Sequence, residues 1–368
     1  MKAICGSRAF LYTAVAAVTV LLLFMGISYA PSPQTLRSSI KSMTKPEPPK
    51  DRPTVPTYIS ASNTRNGEKL AYVSWLSSTV AGKDNEDLDK DLYFIGTRIL
   101  VWQLLHYYKT KTKNIDVVII TTPDVSQSRI DRLRKDGAIV KPIEFVHGHN
   151  DSWLQPEQAR WNGIMSKLRA WQMTEYSRIL MLDGDMILQS NLDGIFDDPG
   201  AQILKTKQNI EHPSDENDLP DEYLLASMGE VESPKHDYPP DWDHGLKKPG
   251  KFCAGFFMLK PSDKIFDYYT GLLDIPGRFN PDFMEQNLLN YAHRWEGPMP
   301  WREIAYTWNI RSVNENDFNM GVVSIHEKWW ENPWSGSKRV KDFFMSIRWQ
   351  MEGFYQARDM LSAQGHEP

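Results

Sequence analysis

Two carboxylates follow a short apolar run near the middle of the chain. Residues 178–182 have the length of a buried strand of an α/β sheet, and Asp183 and Asp185 come directly after them. In a continued strand the two side chains would point to the same face, roughly 6.6 Å apart at about 3.3 Å per residue. Ligands of such sheets bind beyond the carboxyl ends of the strands, where two carboxylates can hold a divalent cation and the cation a diphosphate. The spacing therefore indicates sugar-nucleotide chemistry.

The composition narrows the class of protein. The chain has 368 residues, which is enough for one large domain or two modest ones. Its formal net charge is −5 and it contains no long basic block, so no nucleic-acid partner is expected. The cysteines are Cys5 and Cys253, a number that excludes a disulfide framework and a cysteine-rich zinc site.

Residues 9–30 contain no charged side chain and are largely apolar. About 20 such residues cross the hydrocarbon core of a membrane as a helix. Two interpretations are open: an uncleaved signal-anchor, and a signal peptide cleaved after the small residue Ala30. The length of the run and Pro31, directly after it, favour the anchor. Basic residues flank the segment on both sides, so their distribution does not settle its orientation.

The remaining chain divides by composition. Residues 31–67 are rich in Ser, Pro, Lys and Thr and could pack little core, so we expect a flexible stem. The order is therefore a short cytosolic tail at 1–8, a transmembrane segment at 9–30, the stem and then a globular domain. This order is typical of a membrane-anchored enzyme of the secretory pathway. We place the catalytic domain at 68–335 and a C-terminal helical extension at 336–368.

Within the catalytic domain, strands alternate with helices, which predicts an α/β fold with a doubly wound, mostly parallel sheet.

Residues 208–250 are rich in Asp, Glu, Pro and His and are expected to be an irregular insertion, either disordered or an acceptor-binding lid. The expected strands are 70–76, 115–121, 138–145, 178–183, 252–260 and 321–326, and the expected helices are 94–108, 123–135, 165–176, 283–294 and 340–361. In the last helix the apolar residues recur at helical spacing and predict a face packed on the domain: Val340, Phe344, Ile347, Met351 and Phe354.

Residues 166–196 closely resemble a block of glycogenin and its relatives, the family 8 retaining glycosyltransferases of the GT-A fold. The block holds Lys167, the apolar strand, the Asp-x-Asp pair and a trailing Asn-Leu-Asp-x-x-Phe. The resemblance continues at 252–262, 282–290 and 326–334, which look like the family's Asn-Ser-Gly strand, Asp-x-x-Asp-Gln helix start and late histidine followed by Pro-Trp. It covers about residues 69–335. It implies a Rossmann-like nucleotide-diphospho-sugar transferase fold and a membrane-anchored, fungal-type member of the family.

The resemblance implies a metal site of Asp183, Asp185 and His326. Two carboxylates and an imidazole, completed by diphosphate oxygens, suit Mn²⁺, which would stabilise the charge on a departing UDP. The alternative for His326 is a satisfied core histidine, and for Gly255 it is close packing of strands rather than a backbone approach to the ligand. The expected contacts to the UDP-sugar donor are Lys167, Ser77, Tyr93, Gly255 and Asp183.

Asp282, Glu285 and Gln286 are expected to be the catalytic residues. Their spacing of i, i+3 and i+4 would place them on one helix face. The resemblance implies that they bind the hydroxyls of the donor sugar and face its anomeric carbon. Glu285 stands where the family has an aspartate, and it is open whether it acts as a nucleophile or as a charge stabiliser. We favour a front-face mechanism, in which the leaving phosphate helps to deprotonate the acceptor.

Three further positions depart from the family pattern. The family usually carries a diphosphate-contacting lysine two residues before its late Trp, and this position is Asn332 here. Lys328 and Lys338 are candidate replacements. Cys253 and Ala254 stand in place of the family's asparagine and serine near the donor sugar, which leaves the identity of the donor open.

The expected function is the transfer of a hexose or N-acetylhexosamine from a UDP-sugar to a glycan or glycoprotein acceptor. The expected location is a Golgi or other secretory-pathway membrane, with a single-pass type II topology and a lumenal catalytic domain; the sequon at Asn150 is compatible with it. One alternative is a glycogenin-like self-glucosylating primer, which the apolar segment disfavours. Another is a catalytically silent, membrane-tethered sugar-binding scaffold. A haloacid-dehalogenase-like phosphatase is disfavoured because the Asp-x-Asp pair does not follow the first strand of the domain.

Overall fold

The structure, a computed structural model, describes residues 67–78, 87–158, 161, 163–330 and 337–365. The expected tail, the transmembrane segment and nearly all of the expected stem lie outside the described residues, as do Asn332 and the Pro-Trp pair that follows it. Among the helices that are described, none is both long enough and apolar enough to cross a membrane.

A seven-stranded sheet forms the centre of the fold. In spatial order its strands are β10 (Arg302–Glu303), β8 (Leu225–Ser227), β9 (Phe256–Leu259), β4 (Arg178–Leu182), β1 (Leu70–Leu76), β2 (Asp116–Thr121) and β3 (Ile139–Pro142). Strand β9 runs antiparallel to both β4 and β8, and the other neighbouring pairs are parallel. The predicted α/β fold with a mostly parallel sheet is therefore confirmed, although the antiparallel β9 was not predicted.

A smaller sheet lies next to the Asp-x-Asp segment. Its strands, in spatial order, are β11 (Asn309–Arg311), β12 (Ser324–His326) and β5 (Met186–Leu188). A separate two-stranded ribbon pairs β6 (Leu204–Lys205) with β7 (Glu222–Tyr223). The α-helices of the described residues are α1 (Leu92–Leu105), α2 (Gln127–Asp136), α3 (Asp263–Leu273), α4 (Met284–Ala292), α5 (Glu315–Met320) and α6 (Lys338–Ala363). Short 3₁₀ helices cover Ile164–Gln172, Asp193–Asp197 and Pro281–Phe283.

Two of the predicted segments differ from the structure. The helix expected at 165–176 is the 3₁₀ helix Ile164–Gln172. The segment 208–250, expected to be an irregular insertion, contains β7 and β8, and β8 is a buried strand of the central sheet. The three residues of β8 are too few to show a periodicity of their own, and their acidic and proline-rich surroundings concealed them.

Apolar clusters cover both faces of the central sheet. Ala71 and Val73 of β1 face one cluster, which includes residues of the 3₁₀ helix Ile164–Gln172 and of α3 and α4. Tyr72 and Leu76 face the other, with residues of α1 and α2. Both faces of the strands are thus buried, which is why their sequences read as continuous apolar runs rather than as alternating ones.

The C-terminal helix α6 packs on α1 and the smaller sheet. Four of its predicted core residues are buried: Val340, Phe344, Ile347 and Met351. The fifth prediction was wrong, because Phe354 is 37% exposed and Tyr355 is buried in its place. A step of four residues after Met351 keeps the side chain on the buried stripe, whereas a step of three turns it outward.

Ion pairs also fasten α6 to the domain. Asp136, at the end of α2, is fully buried and accepts hydrogen bonds from Arg98 Nε at 2.6 Å and Arg132 Nε at 2.8 Å. Arg132 also donates to Asp359 of α6 at 2.5 Å. One buried carboxylate therefore orients the arginine that holds the C-terminal helix.

We expect Asp136→Asn to lower the free energy of unfolding by about 3 kcal/mol, because it leaves the partly buried guanidinium group of Arg98 without its counter-charge and removes one of the two carboxylates that pair with Arg132. Asp131→Asn on the same helix is the matched control, since the Asp131 side chain is 63% exposed and should change stability by no more than about 0.5 kcal/mol. Urea unfolding of the two variants measures both values. Equal changes in the free energy of unfolding of the two variants would contradict a stabilising role of the buried ion pairs of Asp136.

Candidate active site

The three predicted metal ligands meet where the two sheets adjoin. Asp183 and Asp185 form the link between β4 and β5, and His326 ends β12, which pairs with β5. His326 Nε2 lies 3.1 Å from Asp185 Oδ1 and 4.0 Å from Asp183 Oδ2. One ligand atom of each residue lies within 4.8 Å of the other two. Two carboxylates and an imidazole at this separation fit a divalent cation such as Mn²⁺.

Gly255, just before β9, makes room for this group. Its carbonyl oxygen accepts a hydrogen bond from Asp183 N at 2.9 Å. A Cβ atom on residue 255 would overlap His326 Cε1 and lie 2.9 Å from Asp183 Oδ2. A glycine is therefore required here because the backbone closely approaches the metal-ligand side chains.

The charges of Asp185 and His326 stabilise each other. Burial alone would raise the pKa of Asp185, but the neighbouring imidazolium lowers it to about 2. Burial alone would lower the pKa of His326, but the Asp185 carboxylate raises it well above its usual value.

Lys167 joins the metal-ligand group to the predicted catalytic helix. It lies on the 3₁₀ helix Ile164–Gln172, and its side chain is only 4% exposed. Its Nζ donates to Asp183 Oδ1 at 2.7 Å and to Glu285 Oε1 at 3.1 Å. Burial opposes its charge, but the two carboxylates outweigh burial and raise the pKa of Lys167. A fixed ammonium thus lies between one predicted metal ligand and one predicted catalytic carboxylate.

A single cavity of about 230 Å³ joins these groups. The predicted site residues that line it are Ser77, Tyr93, Lys167, Asp183, Asp185, Gly255, Glu285, Gln286 and His326.

Asp282 is the predicted site residue that does not line the cavity. It is exposed, lies in the 3₁₀ turn Pro281–Phe283 and bonds to Asn280. The backbone turns at Met284, where φ is 38°, so the prediction that Asp282 shares a helix face with the other two catalytic candidates is wrong.

The amide of Gln286 is held from both sides. Its Oε1 accepts from Ala254 N at 3.0 Å, and its Nε2 donates to Glu230 Oε2 at 3.3 Å. Glu230 also accepts from Lys247 at 2.9 Å and from Arg311 at 2.6 Å. The orientation of the amide is thus determined by a chain of charged groups that ends on the smaller sheet.

Several lining residues were not predicted from the sequence: Trp75, Thr97, Trp161, Glu230, Arg311, Ser312 and Glu327. Glu230 lies in the segment 208–250, which was expected to be irregular, so its position offered no reason to consider it as a site residue. The only signal for Glu327 was its position beside His326.

Of the two lysines considered as replacements at the diphosphate, Lys328 lines the cavity, whereas the Lys338 side chain is 86% exposed and pairs with Asp342 on α6.

Comparisons with known proteins define the family. No family model matches the chain. Galactinol synthase 3 of Arabidopsis thaliana is 30% identical over 251 residues, which cover 61% of this chain and 73% of that protein. The chain belongs to the glycosyltransferase family of the galactinol synthases, family 8. The prediction of a family 8 glycosyltransferase is thereby confirmed.

Two further similarities accompany this one. An uncharacterized protein of Schizosaccharomyces pombe is 26% identical over 269 residues, 66% of this chain and 69% of that protein. The galactosyltransferase LgtC, solved in complex with donor and acceptor sugar analogues, superposes with a TM-score of 0.45 and 11% identity, covering 76% of this chain and 95% of LgtC.

Gly255→Ala should weaken Mn²⁺ binding by about tenfold or more without unfolding the protein, because the added methyl group displaces His326 or Asp183. Gly353→Ala on the exposed face of α6 is the matched control, since a Cβ there meets nothing within 4 Å. Titration of free Mn²⁺ by electron paramagnetic resonance measures both affinities. Unchanged affinity in Gly255→Ala would contradict the role of this glycine.

Proposed function

We propose that the protein is a retaining, Mn²⁺-dependent glycosyltransferase that moves a hexose or N-acetylhexosamine from a UDP-sugar to a hydroxyl group of a glycan or glycoprotein. The observation that carries the proposal is the convergence of Asp183, Asp185 and His326, with ligand atoms within 4.8 Å, beside the buried ion pairs of Lys167. The family membership supports sugar transfer as the reaction.

The donor diphosphate would lie at the Asp183, Asp185 and His326 group. A divalent cation bound there supplies Lewis-acid stabilisation of the leaving UDP. Lys167 holds Asp183 in place through its hydrogen bond at 2.7 Å. Lys328 brings a second positive charge to the same cavity and would neutralise the diphosphate, in place of the family lysine that is Asn332 here.

Glu285 would stabilise positive charge on the sugar rather than attack it. Its carboxylate is buried and accepts a hydrogen bond from Lys167 Nζ at 3.1 Å, which reduces its reactivity as a nucleophile. A fixed negative charge beside the anomeric carbon stabilises an oxocarbenium-like transition state. Gln286, already oriented by its two hydrogen bonds, would position the donor sugar. This arrangement supports the front-face mechanism.

The test is UDP release by the full chain with Mn²⁺ and a panel of UDP-sugars. Asp185→Asn should lower the rate by at least about 100-fold, because it removes a metal ligand, and chelation of the metal should do the same. Asp243→Asn is the matched control, since Asp243 is exposed outside the cavity, and should keep full activity. The transferred sugar should keep in the product the anomeric configuration that it has in the donor, and NMR spectroscopy of the product measures this configuration.

Inactivity of the wild type toward every UDP-sugar, together with an absence of Mn²⁺-dependent UDP binding, would contradict the proposed function. It would favour the alternative of a catalytically silent scaffold. An inverted product would leave transfer intact but contradict the retaining mechanism.

We also propose a location, as a membrane-anchored, fungal-type member of the family in the Golgi or another secretory-pathway membrane. Residues 1–8 would be the cytosolic tail and residues 9–30 the single-pass type II anchor, with the catalytic domain in the lumen. The uncharged apolar run supports the anchor, and the similarity to the S. pombe protein supports a fungal type. The exposed position of Asn150 supports its use as a lumenal glycosylation site.

The full chain expressed in a eukaryotic cell should therefore carry one N-linked glycan, visible as a mobility shift that endoglycosidase removes. Asn150→Gln should abolish the shift, because it removes the sequon. Asn209→Gln, a matched change at another exposed asparagine, should leave it. Full-size, unglycosylated wild type in the membrane fraction would contradict a lumenal catalytic domain.

A further inference from the structure

The group of charged residues behind Gln286 begins on a hairpin. Residues 229–252 form this hairpin, and its two arms are joined by a bridge between Val231 and Leu246. At its base Glu230 lines the cavity and accepts a hydrogen bond from Gln286 Nε2 at 3.3 Å. The amide that is proposed to position the donor sugar is therefore held by the hairpin.

The hairpin contacts the chain before and within α5 at two places. Near its base, Glu230 Oε1 accepts from Arg311 at 2.6 Å. Farther along the hairpin, Asn314 Nδ2 donates to the carbonyl oxygens of Pro234 at 3.1 Å and His236 at 3.0 Å. This second set of bonds belongs to what we call the outer contact, which joins residues 233–236 to residues 314–317. The position of the hairpin depends on both contacts.

The His236 side chain lies at the centre of the outer contact. It is fully buried, as is the side chain of Asp317 on α5. The ring Nδ1 lies 2.6 Å from the carbonyl oxygen of Ser233, and Nε2 lies 3.1 Å from Asp317 Oδ2. Gly245 of the opposite arm packs so closely that a Cβ there would lie 2.6 Å from His236 Cβ. The histidine therefore joins both arms of the hairpin to α5.

Both partners of the His236 ring are hydrogen-bond acceptors. A carbonyl oxygen can only accept, and Asp317 Oδ2 already accepts from Asn314 N at 2.8 Å. A neutral imidazole has one N–H and one lone pair and satisfies one of the two partners, whereas an imidazolium donates to both. Asp317 Oδ1 is buried and has no hydrogen-bond partner in the described part of the chain. The carboxylate thus depends on a positive charge on His236.

The charged surroundings of the ring favour the imidazolium. The titratable groups of α5 and of the nearby part of the hairpin are Glu315, Asp317, Asp237, Tyr238, Asp241 and His244. Two of them, both carboxylates, act directly on the ring: Asp317 and Asp237. Glu315 instead lies 3.9 Å from Arg339, and Asp241 pairs with His244. Burial alone would lower the pKa of His236, but the two carboxylates and the hydrogen bonds of the ring outweigh burial and raise it.

We propose that His236 is a positioning residue for the donor sugar, which acts through Glu230 on Gln286. Its imidazolium maintains the outer contact, and the hairpin so held keeps Glu230 against the amide. Loss of the proton places a lone pair of the ring against an acceptor oxygen and loosens the outer contact. The assignment rests on the proposed function, in which Gln286 positions the donor sugar, and adds to it a proton held outside the cavity.

The pH dependence of the outer contact has a definite sign. Because the pKa of His236 is higher in the folded than in the unfolded chain, the contact stabilises the hairpin fully below the usual histidine pKa of about 6.5. This stabilisation is lost as the pH rises through the raised pKa of the folded protein. The hairpin should therefore be held firmly in weak acid and more loosely in alkali.

The experiment measures the pH profile of kcat/KM for hydrolysis by the full chain with Mn²⁺, using the UDP-sugar that the wild type cleaves fastest. His236→Gln keeps one hydrogen-bond donor and one acceptor but cannot become charged. His244→Gln is the matched control, because it makes the same change in the same hairpin at a side chain that is 81% exposed.

Below about pH 6 we expect His236→Gln to lower kcat/KM about fivefold, because one hydrogen bond of the outer contact is lost. The difference from the wild type should shrink as the pH rises and vanish above the pKa of His236, where the wild type has lost the proton as well. His244→Gln should follow the wild type at every pH.

A second measurement requires no activity. In NMR spectra of the wild type labelled with ¹³C-histidine, the His236 signal, assigned by its absence from His236→Gln, should titrate at a higher pH than that of His244. Hydrogen exchange of the backbone amides of residues 232–245 should rise along the same titration curve, beyond the intrinsic effect of pH.

Other outcomes overturn the positioning role. A His236 signal that titrates no higher than that of His244 would do so. A loss of kcat/KM in His236→Gln that is equal at every pH would also do so, since the residue would then only stabilise the fold. A wild type that hydrolyses no UDP-sugar would overturn the proposed function and the positioning role with it, while the NMR titration would still decide on the outer contact. Should His236→Gln fail to fold, an inflection of the wild-type kcat/KM away from the highest histidine pKa found by NMR would overturn the role.

Discussion

The site depends on one buried ammonium. Lys167 contributes a single positive charge between Asp183 and Glu285, two carboxylates that come from different parts of the fold. Burial raises the pKa of Glu285, and the Lys167 ammonium opposes that rise. By bonding to both carboxylates, the ammonium also sets their separation. The geometry of the predicted metal-ligand group and that of α4, which carries Glu285, are therefore linked through one side chain.

The remaining geometry of the candidate site is determined where the two sheets adjoin. The link from β4 to β5 carries Asp183 and Asp185 from the central sheet to the smaller one, and β12 brings His326 alongside. Gly255 allows the backbone before β9 to lie against these side chains. The site is thus built on strand ends, whose positions are fixed by their ladders of hydrogen bonds, and this rigidity suits a group that must hold a cation at defined distances.

Features that short segments encode were predictable. The apolar run 178–182 and the carboxylates after it indicated a buried strand with a ligand site at its end, and the structure has the buried strand with a cavity at its end. The stripe of α6 was also predictable, except that Tyr355 rather than Phe354 completes it. The prediction failed where the local pattern was weak. The three residues of β8 have no measurable period, and a left-handed turn at Met284 broke a spacing that would otherwise have put Asp282 on the catalytic face.

The sequence by itself determined the family, the longer apolar strands and helices, and the residue types available for chemistry, because periodicity and motif spacing are local properties. Only the tertiary structure decided that His326 meets Asp185, that Lys167 bonds Glu285, and that Glu230 and Glu327 belong to the same cavity. These are contacts between residues far apart in the chain. They are set by how the two sheets pack on a shared core, and no local pattern in the sequence records that packing.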